Sequence, residues 1–118
     1  MYGLPSGFSV SLLIGHRLEI VSFSENTVFC GFDRDVSITI LSSFLHTWKG
    51  QPPGHPQRVP VSESRIMQII GSTIVLAEST AAGTLMMEFE NRHVLVLYDD
   101  SDIYESYIVR IGSFEIVV

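Results

Sequence analysis

Alternation is the feature that most constrains this chain. Val36, Ile38 and Ile40 interleave with Ser37 and Thr39, the period of two that turns one face of a strand to a core and the other to water. Leu85, Met87 and Phe89 alternate in the same way with Met86 and Glu88, and Tyr107, Val109 and Ile111 with Ile108 and Arg110. Phe114, Ile116 and Val118 alternate with Glu115 and Val117. Leu18, Ile20 and Phe23, then Val28 to Phe32, give two more strands separated by Ser24-Glu25-Asn26. Gly112, between Ile111 and Ser113-Phe114, supplies the positive φ of a hairpin. Helical spacing is confined to residues 62–70. There Ser62 or Ser64 serves as a cap, Ile66, Ile69 and Ile70 share a face, and Gly71 ends the run. The pattern predicts an all-β fold: an antiparallel β-sandwich or open barrel of about seven to eight strands, with one short helix near 62–70.

The same alternation names a core: Ile20, Val28, Cys30, Phe32, Ile38, Ile40, Ile70, Leu85, Met87, Phe89, Leu95, Leu97, Val109 and Ile116. The run Val94 to Tyr98 is apolar at every position. Such a strand is expected to bury both faces, which calls for an extra layer from another element or another subunit.

Four of the five prolines fall within residues 50–60. They remove amide donors and fix φ, so the segment is expected to be a loop, neither strand nor helix. It joins two halves of one domain spanning 1–118. The halves echo each other: Leu13-Ile14-Gly15-His16-Arg17-Leu18 matches Ile69-Ile70-Gly71-Ser72-Thr73-Ile74, and Phe32-Asp33-Arg34-Asp35 matches Phe89-Glu90-Asn91-Arg92. The offset is 56 residues at the glycines (71 − 15) and 57 at the phenylalanines (89 − 32). Residues 13–41 and 69–98 are therefore a candidate internal repeat, two three-stranded meanders followed by a C-terminal hairpin. The competing explanation is a chance match of apolar patterns.

Composition removes several function classes. With 118 residues and 46% apolar positions, the chain can build a core without metal or disulfide and is too apolar to be disordered. Thirteen carboxylates against seven Lys and Arg give a net charge of −6. That balance argues against nucleic acid, whose binders carry a basic stripe, and permits a basic protein partner. The lone Cys30 cannot form an internal disulfide. Phe8 to Ile14 has no basic residue before it and no cleavage site after it, so it does not read as a signal peptide. No run approaches the ~18 apolar residues that span a bilayer. A soluble, cytoplasmic protein with no membrane association is expected.

No catalytic residue, cofactor or metal set emerges. Cys30 alternates with Val28 and Phe32 and reads as a small buried hydrophobe. None of His16, His46, His55 and His93 falls in a zinc-binding spacing, although His46 and His55 flank the proline-rich segment and can meet in space. Phosphate-cradling and nucleophile-elbow motifs are missing. Asp99-Asp100-Ser101-Asp102 places three carboxylates within four residues. EF-hand spacing fails there. The segment reads either as a polar turn, in which Asp side chains bond their own backbone, or as a partner surface, since like charges so close repel. Tyr104 and Tyr107 favour a surface. Trp48, the sole tryptophan, is a core lid or a partner anchor; nearby Phe44 and Leu45 favour the lid.

The segment from Val94 to Ile108, with its Asp99-Asp100-Ser101-Asp102-Ile103-Tyr104-Glu105-Ser106-Tyr107, resembles the C-terminal signature of a group of small bacterial all-β proteins. Most of that group have no assigned activity. Ile70-Gly71-Ser72-Thr73-Ile74 resembles the group's opening motif. The resemblance covers mainly residues 66–118, and more weakly 11–41; residues 45–60 lie outside it. Some members are immunity proteins of the contact-dependent inhibition type, which neutralise a cognate toxin. The resemblance therefore implies a non-catalytic inhibitor that occludes the active site of a basic, nuclease-like toxin. Asp99, Asp100, Asp102, Tyr104, Glu105, Tyr107 and Trp48 are the expected partner-binding residues. The alternative is a structural or homo-oligomerising β domain, possible as a homodimer.

Overall fold

Every alternating segment becomes a strand. The computed structural model of the chain describes residues 4–5, 8–48, 54–61, 63–101 and 105–118. Its strands are β1 (Leu18–Phe23), β2 (Val28–Phe32), β3 (Val36–Ile40), β4 (Ser43–Thr47), β5 (Gln57–Arg58), β6 (Ile74–Ser79), β7 (Leu85–Phe89), β8 (Val94–Leu97), β9 (Tyr107–Ile111) and β10 (Phe114–Val117). Two 3-10 turns, η1 (Val10–Leu13) and η2 (Ile66–Ile69), precede β1 and β6. The strands form two antiparallel five-stranded sheets, in the orders β1-β2-β3-β9-β10 and β5-β4-β8-β7-β6. Each sheet is thus a meander extended by a hairpin drawn from elsewhere in the chain. The inner faces of both supply one hydrophobic cluster, as two packed sheets require.

Where the edge strands β1 and β6 approach, backbone bonds come in pairs separated by 56 residues. Gly15 N donates to Ile74 O and Gly71 N to Leu18 O, both at 2.8 Å. Leu18 N donates to Ser72 O at 3.0 Å and Ile74 N to His16 O at 2.9 Å. Arg17 and Thr73, themselves 56 apart, form an isolated bridge at the centre. Gly15 and Gly71 both take φ +92°, a left-handed conformation that costs a side-chain-bearing residue about 1–2 kcal/mol. Phe32 and Phe89 stack across the core with centroids 6.4 Å apart and planes 7° apart. The residues of the sequence echo occupy matching places in the two sheets.

The structure departs from the sequence reading in four places. Ile20 is 52% exposed, because the register shifts by one between Leu18 and Ile20. This bulge turns Ile20 outward over Gly31 and puts Val21 opposite Cys30, against the core. Ile70 is also exposed: in place of a helix over 62–70 there is only the 3-10 turn Ile66–Ile69. Its three-residue period aligns Ile66 with Ile69 and leaves Met67 and Ile70 outside. The strand count is ten among the described residues, because β4 and β5 pair across the proline-rich segment. Gln57 and Arg58 stand between Pro56 and Pro60 with their own amides intact, on a sheet edge where nearby prolines are tolerated. Finally, β8 buries Leu95 and Leu97 while Val94 and Val96 are only half-buried, so the described residues of this chain do not fully cover its outer face. The remaining expected core residues are buried, joined by Leu13, Phe44, Ile66, Ile69, Ile74 and Tyr107. Cys30 is one of them, its thiol pushed up to about 12 by burial; it remains protonated and unreactive at neutral pH.

Candidate functional site

The acidic segment leaves β8 at a corner where the chain also crosses between the sheets, from β3 to β4. Backbone bonds fasten this corner. Tyr98 N donates to Ser43 O at 3.1 Å, Leu41 N to Ser106 O at 3.0 Å, and Val59 N to Ser42 O at 3.1 Å. Two buried serines then engage the carboxylates. Ser42 Oγ donates to Asp100 Oδ1 at 2.6 Å, and Ser106 Oγ to Asp99 Oδ1 at 2.9 Å while accepting from Ser101 N at 3.2 Å. Arg58 Nη2 lies 3.4 Å from Asp100 Oδ2. Partial burial by itself raises the Asp100 carboxyl. The Ser42 and Ser43 hydrogen bonds and the Arg58 charge outweigh it, and the group lies below the usual carboxylate range. Asp100 is therefore ionised and held in a fixed orientation near neutral pH.

Beside this corner is a hollow of about 520 Å³, lined by Asn26, Leu41, Ser42, Arg58, Val59, Ser101 and Glu105. Glu105 is half-buried in its wall. The arrangement can accept positively charged and hydrogen-bond-donating groups from a partner. Among the described residues, no group of three His, Cys, Asp or Glu side chains is placed to hold a metal ion.

The expected site residues separate. Asp99, Asp100 and Glu105 lie together at the corner, whereas Asp102 and Tyr104 lie outside the described residues. Tyr107 belongs to the core and not to a surface: it is fully buried, and its hydroxyl donates to Gly83 O at 2.6 Å. Burial raises its phenol above the ordinary tyrosine range. Its alternation with Val109 already places it inward. Trp48 follows the opposite end of β4 from Ser43, about 16 Å away at the usual strand rise. It contacts His46 and His93, with ring centroids 4.7 and 5.4 Å away. His46 meets His93, not the exposed His55. Sequence reasoning missed this pair because 47 residues separate its members; the signal was their alternation with core residues, His46 with Phe44 and His93 with Leu95.

No helix among the described residues is long and apolar enough to cross a membrane. No protein-family model, curated protein or solved structure matches the chain.

Proposed function

We propose that this chain is a non-catalytic inhibitor, an immunity protein of the contact-dependent inhibition type, that covers the active cleft of a basic, nuclease-like toxin. The observation that carries the reading is the corner hollow, which Glu105 lines together with Ser42 and Arg58, the two side chains that orient the Asp100 carboxylate. A nuclease cleft gathers cationic side chains to hold phosphate. Carboxylates fixed in advance substitute for phosphate without the entropy loss of ordering them on contact. A net charge of −6 speeds the encounter with such a cleft. The C-terminal signature Asp99 to Tyr107 supports the same reading by resemblance.

The test is co-purification with the product of the adjacent upstream gene, followed by assay of its nucleic-acid cleavage with and without this chain. Binding with loss of cleavage is expected. Glu105→Gln and the triple Asp→Asn variant at Asp99, Asp100 and Asp102 should weaken binding and flatten its salt dependence. Unchanged affinity with an intact fold rules the corner out.

A second reading, a homo-oligomerising β domain, draws on the outer face of the second sheet. Leu45, Val96 and Met86 form a row of paired neighbours there, each half-buried. Sedimentation over a range of concentrations separates the two: a dimer without any partner favours self-association.

A further inference from the structure

The proposed binding corner makes no use of the rings at the other end of β4. His46 and Trp48 continue the core-facing positions begun by Phe44, and His93 those of Leu95 and Leu97. Pairing of Thr47 with Val94 and of His46 with Leu95 brings them together. His46 Nε2 and His93 Nδ1 are 2.8 Å apart, so one ring donates its N–H to the lone pair of the other. Trp48 stacks on His93 with planes 11° apart. The three rings close this end of the sandwich where the chain departs for the proline-rich segment.

We propose that the trio is an acid-opened clasp, which fastens the end of β4 at Trp48 to His93 beside β8 near neutral pH and releases it when both imidazoles are protonated. The proton count gives the mechanism. With both rings neutral, one N–H fills the space between them. A first added proton goes to the outward nitrogen of the donating ring, which donates as before, and an imidazolium beside indole gains a cation–π contact. A second proton must occupy the accepting nitrogen. Two N–H groups and two positive charges then face each other across the space of one hydrogen bond, and the clasp cannot stay closed. Burial and the mutual repulsion already disfavour charge here: desolvation, then the charge of His93, lower His46 to about 4, and desolvation lowers His93.

The surroundings do not reverse this balance. Glu63 and Arg65 share a hollow with His46 and Trp48, together with uncharged Gln57 and Ser64. Glu88, Glu90 and Arg92 share the one beside Trp48. Three carboxylates against two guanidinium groups nearly cancel, and the repulsion within the pair decides. Once open, each imidazole returns towards the ordinary histidine value of about 6.5, so opening takes up protons and is driven by falling pH.

Trp48 is the only tryptophan, so its emission reads the clasp directly in the full chain. Titration from pH 7.5 to 4 should shift the emission to the red and raise acrylamide quenching, reversibly, with a midpoint below 6.5. The step should be steeper than a one-proton curve, with a slope between about one and two, while far-ultraviolet circular dichroism stays constant. His46→Gln and His93→Gln should each reduce it to a one-proton step or abolish it. The imidazole proton resonances of the unsubstituted chain give the same test without a variant: two coupled steps, both below 6.5. An unmoved emission maximum with constant quenching, a shift that survives both substitutions, uncoupled resonances, or a shift that coincides with loss of the β-sheet signal would each overturn the proposal.

Discussion

The meander β1–β3 and the meander β6–β8 share a frame and differ in what is attached to it. Both begin with a 3-10 turn and a left-handed glycine. Both carry a bulge in the first strand, at Leu18/Ile20 and Ile74/Leu76. Both contribute one phenylalanine to the central stack. Their polar fittings differ. At the first junction His16 Nδ1 meets Asp33 Oδ1 at 3.1 Å, and Arg17 N donates to the same oxygen at 3.1 Å. At the second, Ser72 Oγ accepts from Asn91 N at 3.1 Å. The segments that follow differ most: the first leads to His46, Trp48 and the prolines, the second to Asp99, Asp100 and Glu105. A shared frame supplies stability, and the unshared connections supply the candidate chemistry, as is general for loops on a rigid scaffold.

The largest effect should come from the stack that joins the two meanders. Phe89→Ala and Phe32→Ala each remove a buried ring and should cost about 3–5 kcal/mol in urea unfolding. Because the rings touch, the double variant should lose less than the sum, by about 0.5–1.5 kcal/mol. A loss below 1 kcal/mol at Phe89, or strict additivity, would break the comparison at its centre.

A contrast between the halves comes next. A Cβ built on Gly31 would lie 2.6 Å from Ile20 Cγ2, whereas the matching position in the second sheet is Glu88, opposite Leu76. Gly31→Ala is therefore an overpacking change and should cost about 1–3 kcal/mol. Ile20→Ala in the same chain should recover most of that loss. Glu88→Ala, at a half-buried side chain where truncation brings no overpacking, should stay within about 0.5 kcal/mol. Equal losses at the two positions would show that the bulges pack alike.

Gly15→Ala and Gly71→Ala sharpen the likeness instead. A Cβ at Gly71 meets nothing within 4 Å and one at Gly15 only Arg34 Nη2 at 3.8 Å. Backbone strain alone acts, and both should cost about 1–2 kcal/mol. A difference in thermal unfolding larger than their common loss would separate the junctions.

What the sequence makes legible follows from the range of each signal. Strand alternation is local, so β2, β3, β7 and β9 stand out residue by residue, as does the burial of Cys30. The bulges at Leu18/Ile20 and Ile74/Leu76 exist only relative to a partner strand, and Ile20 is misplaced by alternation for that reason. The β4–β5 pairing and the His46–His93 contact bring together residues far apart in the chain, which no local spacing records. At the acidic segment, charge density is visible in the sequence, but its distribution is not. Ser42 and Ser106 bind Asp100 and Asp99 from other elements, and Tyr107 turns into the core beside them.

The smallest effect expected is the response of the two ends of β4 to acid, and the two ends should answer in different pH windows. At the ring end, His46 and His93 are lowered in the folded state, so the unfolded chain binds protons first. Stability from that end is complete above about 6.5 and declines as the pH falls towards 4. At the corner, the Asp100 carboxyl is also lowered, but its charged form is the favoured one. Its contribution is complete above the unfolded value of 3.8 and is lost only as the pH falls through the lower folded value. The Asp100 side chain is 41% exposed, so solvent screens the pair with Arg58 and the corner's share stays small. Thermal unfolding followed from pH 7.5 to 2.5 should therefore show an early decline, reduced by His93→Gln, and a shallower late one, reduced by Asp100→Asn. If Asp100→Asn altered the early decline, or His93→Gln the late one, the two ends would be coupled through β4, and the separation of clasp from corner would fail.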